Sequence, residues 1–265
     1  MDIDRLSGKN LPTNSAVHEF PFVNGKLKFK RNLTRAFFDN QFRIRMRNSN
    51  QNAKDLASSY LDVKKHVINK GFAWEVDWQE NQSIESLTES EFCREAAWVI
   101  LSSGMGVRSV RSVFGKISSA FLDWEDSGKI VGHGDICVSQ ALLHFNHKGK
   151  INAILSIIQQ VNRIGFEAFK SKLFDNGVEY IEQFSFFGPA TSLHLAKNIG
   201  MNVVKPDRHL VRLAEALNFS TPDKLCKVIA NLIDEKASVI DVVLWRYCVL
   251  NPNYLAVIQR YKTYL

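Results

Sequence analysis

The chain has 265 residues, 45% of them apolar and 11% aromatic, enough to bury a sizeable core as one large or two small domains. No run approaches the roughly 18 uninterrupted apolar residues of a membrane span, and Met1-Asp2-Ile3-Asp4-Arg5 lacks the basic-then-apolar pattern of a secretory signal. The expected location is therefore the cytoplasm, at the nucleoid in a bacterium, with no membrane partner. A formal charge of +7 suits a polyanionic partner, and it also suits a solvated basic surface.

Cys93, Cys137, Cys226 and Cys248 are scattered, without the short paired spacings of zinc or iron–sulfur sites. Free thiols are expected, and no metal or other cofactor.

Residues 1–50 stand apart as a basic N-terminal segment. From Lys26 to Arg47 the run carries Lys26, Lys28, Lys30, Arg31, Arg35, Arg43, Arg45 and Arg47, with Asp39 its only acid. Gly25-Lys26-Leu27-Lys28-Phe29-Lys30 alternates in polarity and reads as a short strand with its lysines on one face. That face suits a phosphate backbone, or an edge strand kept from aggregating by its charges.

Residues 51–265 read as a helical domain of about ten helices, with apolar positions recurring every three or four residues and Gly or Pro at the breaks. In Phe72-Ala73-Trp74-Glu75-Val76-Asp77-Trp78 the indoles of Trp74 and Trp78 suit core packing or stacking on a base. Thr88-Glu89-Ser90-Glu91 is a capping box that predicts a helix to Gly104. A second follows from Val107 to Trp124. After Gly132-His133-Gly134-Asp135, helices are predicted near 137–146, 149–163 and 166–174, and Asp175-Asn176-Gly177 breaks the chain. His144 and His147 have an i, i+3 spacing open to metal, but no cysteine or acidic cluster supports one.

Residues 178–200 then read as helix, hairpin, helix. Residues 178–183 make a short helix, Phe184-Ser185-Phe186-Phe187-Gly188 a tight turn, and Pro189 to Ile199 a helix stopped by Gly200. Gly188 is expected to supply a positive φ, and Pro189 fits the first helical position. The amides of Ala190, Thr191 and Ser192 would face an anion such as a DNA phosphate. Lys205-Pro206-Asp207-Arg208-His209 opens the next helix, with Asp207 as its cap. Around this hairpin, Lys197, Lys205, Arg208 and Arg212 are candidates to neutralise phosphate charge, and His194 and His209 to sit beside it.

From Phe184 to Leu213 the pattern resembles the helix-hairpin-helix DNA glycosylase superfamily, with Gly188, Thr191, Pro206, Asp207, His209 and Arg212 in register. The likeness extends more weakly back to Glu91-Phe92 and forward to Cys248, and is nearest in pattern to the 8-oxoguanine and alkylbase enzymes. It implies a mainly α, two-lobed fold behind a short β-containing N-terminal segment. It implies a monomer that acts on double-stranded DNA with a flipped, modified base, and a catalytic role for Asp207: stabilising an oxocarbenium-like sugar or orienting water. It also implies DNA contacts from Gly188, Ala190, Thr191, Ser192, Lys205, His209 and Arg212.

The departures carry information. Ala190 stands where the family's lyases keep an imine-forming lysine, so base removal without strand cleavage is expected. Phe186 replaces the first hairpin glycine, so the turn is either reshaped or offers its ring to DNA. Ser102-Ser103-Gly104 replaces a glutamine-rich turn near the pocket, and the iron–sulfur cysteines of one branch are missing. Asp241 and Trp245, one helical turn apart, fall where related enzymes read and stack the base, and also suit a cap and a core indole. Trp74 and Trp78 complete the expected base pocket. The substrate reading divides between a damaged base in repair and a modified cytosine in phage DNA, against a DNA-binding protein without catalysis.

Overall fold

A computed structural model describes residues 49–256. Twelve α-helices follow one another in these residues. They are α1 (Ser49–Val67), α2 (Ala73–Asn81), α3 (Glu89–Ser102), α4 (Val107–Ala120), α5 (Ser127–Gly132) and α6 (Gly134–His144). After them come α7 (Lys148–Ile164), α8 (Phe166–Ile181), α9 (Pro189–Asn198), α10 (Arg208–Ala216), α11 (Pro222–Ile233) and α12 (Ala237–Leu250). No strand occurs among the described residues. The strand expected at 25–30, and the basic run that holds it, lie outside them.

Local chemistry accounts for several helix starts. Thr88 forms the anticipated box: its hydroxyl accepts from the Glu91 amide while Glu91 accepts from the Thr88 amide. Such caps contribute about 1 kcal/mol each. Asp126, Thr221 and Asp207 cap α5, α11 and α10 by accepting from one first-turn amide each. The helix predicted to reach Trp124 ends at Ala120, and a short turn with positive φ at Leu122, Asp123 and Trp124 follows. Asp175-Asn176-Gly177 does break the chain, but as a kink inside α8: Gly177 alone leaves helical angles, at φ 55°, and the helix resumes to Ile181.

The helices enclose two apolar cores. The first is built from α3 to α9 around Phe92, Trp98, Phe121, Ile154, Phe169 and Leu195. The second takes α1, α2 and α10 to α12, around Tyr60, Val63, Leu210, Ile240 and Val243. Each core has a central helix that is buried all round rather than on one stripe, as a helix enclosed by others must be. In α3 every residue from Ala96 to Leu101 is buried, and in α12 every residue from Ala237 to Leu244.

The chain passes between the cores at 82–88 and again at 199–207, with Met201 and Val203 packed on the first core and Val204 in the second. The two crossings touch. Gly200 has φ +97°, and a Cβ placed there would lie 2.5 Å from the Ser83 backbone. Overpacking and positive φ together should make Gly200→Ala cost about 3 kcal/mol, read as a lower Tm in thermal unfolding. A Tm within a degree of the parent's would show that the crossings can move apart. The Lys236 ammonium donates to the carbonyls of Glu80 (2.8 Å) and Gln82 (3.0 Å), and the Ser238 amide donates to Asn202 Oδ1 (3.1 Å). These bonds tie both crossings to the start of α12.

Candidate functional site

The hairpin joins α8 to α9 through two tight bonds, Phe184 N–H to Ile181 O (3.1 Å) and Phe187 N–H to Phe184 O (3.2 Å). Its positive φ falls on Phe186, at 70°, whereas Gly188 is extended at φ −96° and ψ −177°. The turn therefore keeps a glycine-like conformation at the position where the sequence has phenylalanine, and the expectation placed on Gly188 is corrected. A non-glycine residue pays roughly 1–2 kcal/mol there. The Phe186 ring stays 37% exposed, edge-on to His147 at 5.9 Å between centroids.

Thr191 locks the entry to α9: its hydroxyl accepts from the Gly188 amide (2.8 Å) and lies 3.0 Å from the Phe186 carbonyl. Pro189 takes the first helical position. The Ser192 amide donates to the Gly188 carbonyl (2.9 Å), and Ser192 is fully buried. The amides of Ala190 and Thr191 have no partner among the described residues. They border a shallow cavity of about 430 Å³ lined by Ser103, Phe186, Phe187, Gly188, Pro189, Ala190 and Thr191.

From this cavity α9 runs ten residues, about 15 Å, to the junction of the two cores. There Lys197, which the sequence suggested for phosphate, is buried and ion-paired with Asp241 of α12. The other Asp241 oxygen accepts from the Lys205 amide at 2.6 Å. Burial pushes the Asp241 carboxyl up, against the lowering influence of the Lys197 ammonium and the Lys205 amide. With both oxygens engaged inside the protein and the residue 1% exposed, Asp241 is placed as a strut of the junction rather than as an open base-reading group.

Two residues after Lys205, Asp207 is half-buried at the head of α10. One oxygen, Oδ1, accepts from the His209 amide at 2.8 Å, and the other has no hydrogen-bond partner among the described residues. His209 is held in turn by Tyr254, with Nδ1 3.2 Å from the phenol oxygen. Burial raises the Cys248 thiol to about 12, and the Asp207 charge adds to the rise. Burial lowers the Lys205 amine, with Lys197 reinforcing the effect, while Asp207 and Asp241 oppose it. Arg208 and Arg212 are exposed on the same helix.

Of the aromatic residues expected in the base pocket, Trp245 lies against a cation, Arg246. Arg246 donates to both oxygens of the fully buried Glu75, with Nε to Oε2 at 2.6 Å, and its guanidinium lies 4.2 Å from the Phe72 ring centroid and 4.7 Å from that of Trp245. Trp245 and Trp74 are half-buried, and Trp78 is buried in α2. Trp245 thus stacks on Arg246.

The sequence reading missed Arg246, Glu75, Tyr254 and Lys150. The only signal for Glu75 was its place between two tryptophans. His147 caps α7, accepting from the Lys150 amide at 3.3 Å, and no cluster of three potential metal-binding side chains occurs among the described residues. Comparison with protein-family models, curated proteins and solved structures finds no match to this chain.

Proposed function

We propose that the protein is a monofunctional DNA glycosylase that hydrolyses the N-glycosidic bond of a modified base. The observation that carries the reading is Asp207: a half-buried carboxylate, fixed through one oxygen by the first turn of α10 and open at the other, at the end of the crossing between the cores. Breaking the bond builds positive charge on the sugar. A preoriented carboxylate in a partly dehydrated setting stabilises that charge, or holds the attacking water, without reorganising.

The α9 amides of Ala190 and Thr191 suit a backbone phosphate beside the hairpin, a contact that positions the duplex without reading sequence. Ala190 has no amine, so no imine forms at that position, and the abasic product stays unbroken until alkali is added. Arg208 and Arg212, exposed on α10, would add phosphate contacts. With Asp241 engaged internally, base identity is left to other groups.

The test is mass spectrometry of bases freed from duplexes carrying oxidised or alkylated bases and from phage DNA with modified cytosines. A free base dependent on Asp207 supports the proposal. DNA binding with no base released from any duplex would make the protein a binding module only.

The hairpin permits a sharper check. Phe186→Gly relieves the positive φ while deleting an exposed ring, so Tm should change by no more than a few degrees. Duplex affinity, measured by fluorescence anisotropy, should fall by about tenfold if the ring contacts DNA. Unchanged affinity would confine Phe186 to packing on His147.

A further inference from the structure

Lys150 lies on the first turn of α7. It is 3% exposed, and its ammonium donates to the carbonyls of Leu101 (2.8 Å) and Ser103 (2.5 Å) at the C-terminus of α3. Both of its hydrogen-bond partners among the described residues are backbone carbonyls, and burial lowers its amine. Enclosing an ammonium this way is costly, and two carbonyls at the negative end of a helix dipole offset only part of the cost.

The same turn of α7 also reaches the hairpin. His147 meets Phe186 edge-on, and a Cβ at Gly149 would lie 3.5 Å from Phe186 Cζ. Ser103, held by Lys150, lines the hairpin cavity, and beyond it Gly104, Met105 and Gly106 are exposed. One helical turn therefore supports two surface turns that are far apart in sequence.

We propose that Lys150 is a positioning residue whose ammonium fixes the Ser102–Gly106 turn, so that this turn and the Phe186 hairpin meet DNA as one preformed surface. The inference rests on the glycosylase reading for its DNA partner and its activity measurement. A turn left free to move by about 1 Å is enough to slow chemistry at a distance, so Lys150→Met should reduce single-turnover base release by about 10- to 100-fold. The assay is run well below Tm, where the variant is fully folded. Lys150→Arg, which can still donate to both carbonyls, should recover most of the rate.

Lys64→Met supplies the control, because it removes an ion pair with Glu235 in the second core and lowers stability without touching either turn. It should release base at the parent rate. Lys150→Met acting at the parent rate, or Lys64→Met slowed as much as Lys150→Met, overturns the proposal.

A second measurement stands apart from base release: 2-aminopurine in a duplex, whose fluorescence rises when bound protein unstacks it. The parent protein and Lys64→Met should give the rise and Lys150→Met should lose it. An equal rise with Lys150→Met, or none with the parent, also overturns the role of Lys150. Absence of base release by the parent with the fluorescence pattern intact would overturn the glycosylase reading and leave the role of Lys150 standing.

Discussion

Asp207→Asn is expected to lower the single-turnover rate of base release by about 10²- to 10³-fold, the loss typical when one preoriented charge-stabilising group is removed. Asparagine is the informative replacement because its carbonyl can still accept from the His209 amide, so the cap of α10 survives and Tm should move little. What disappears is the negative charge and the acceptor strength of the open oxygen. Duplex affinity should hold, or tighten slightly, since an acid near phosphates repels them. Free base is counted by mass spectrometry, and abasic sites by alkaline cleavage of a labelled strand. A rate within about threefold of the parent would remove Asp207 from the chemistry. Asp207→Ala adds a control for the cap itself: it should slow the reaction as much and cost about 1 kcal/mol more stability.

What could be read in advance was mostly local. Thr88 and Asp207 announce helix starts because a cap is a bond between residues two or three apart, and Pro189 and Gly200 bracket α9 for equally local reasons. The hairpin was legible as a hairpin, but the residue carrying its positive φ was not: glycine preference pointed to Gly188, whereas Phe186, its ring edge-on to His147, carries it. Ion pairs between distant segments were not legible at all. Lys197 and Asp241 are 44 positions apart, and Glu75 and Arg246 are 171 apart. From sequence, Lys197 reads as a phosphate contact and Asp241 as a base-reading group or a cap, while Glu75 and Arg246 draw no role of their own. The apolar run of α12 was the missed clue for Asp241, since a carboxylate among Val239, Ile240, Val242 and Val243 must find a partner indoors.

That partnership sets the largest expected effect on stability. Lys197→Met leaves the Asp241 carboxylate buried with only the Lys205 amide to satisfy it, and removing one member of a buried pair costs about 3–5 kcal/mol. For a chain of this size that should lower Tm by about 6–20 °C. Asp241→Leu should be comparably damaging, for it strands the ammonium instead. The double variant Lys197→Met/Asp241→Leu has neither charge to strand and should recover most of the lost stability, because apolar side chains of similar volume commonly replace a buried pair at little cost. Recovery will be incomplete by about 1 kcal/mol, as the Lys205 amide loses its acceptor. Additive losses in the double variant would mean that the two charges do not interact. Activity separates two roles for the pair. The Asp241 carboxylate holds the backbone of Lys205, two residues from Asp207 and on the crossing between the cores. A double variant that regains Tm but still releases base slowly would therefore locate the function of the ion pair in aiming the Asp207 carboxylate, with fold stability a separate and replaceable consequence.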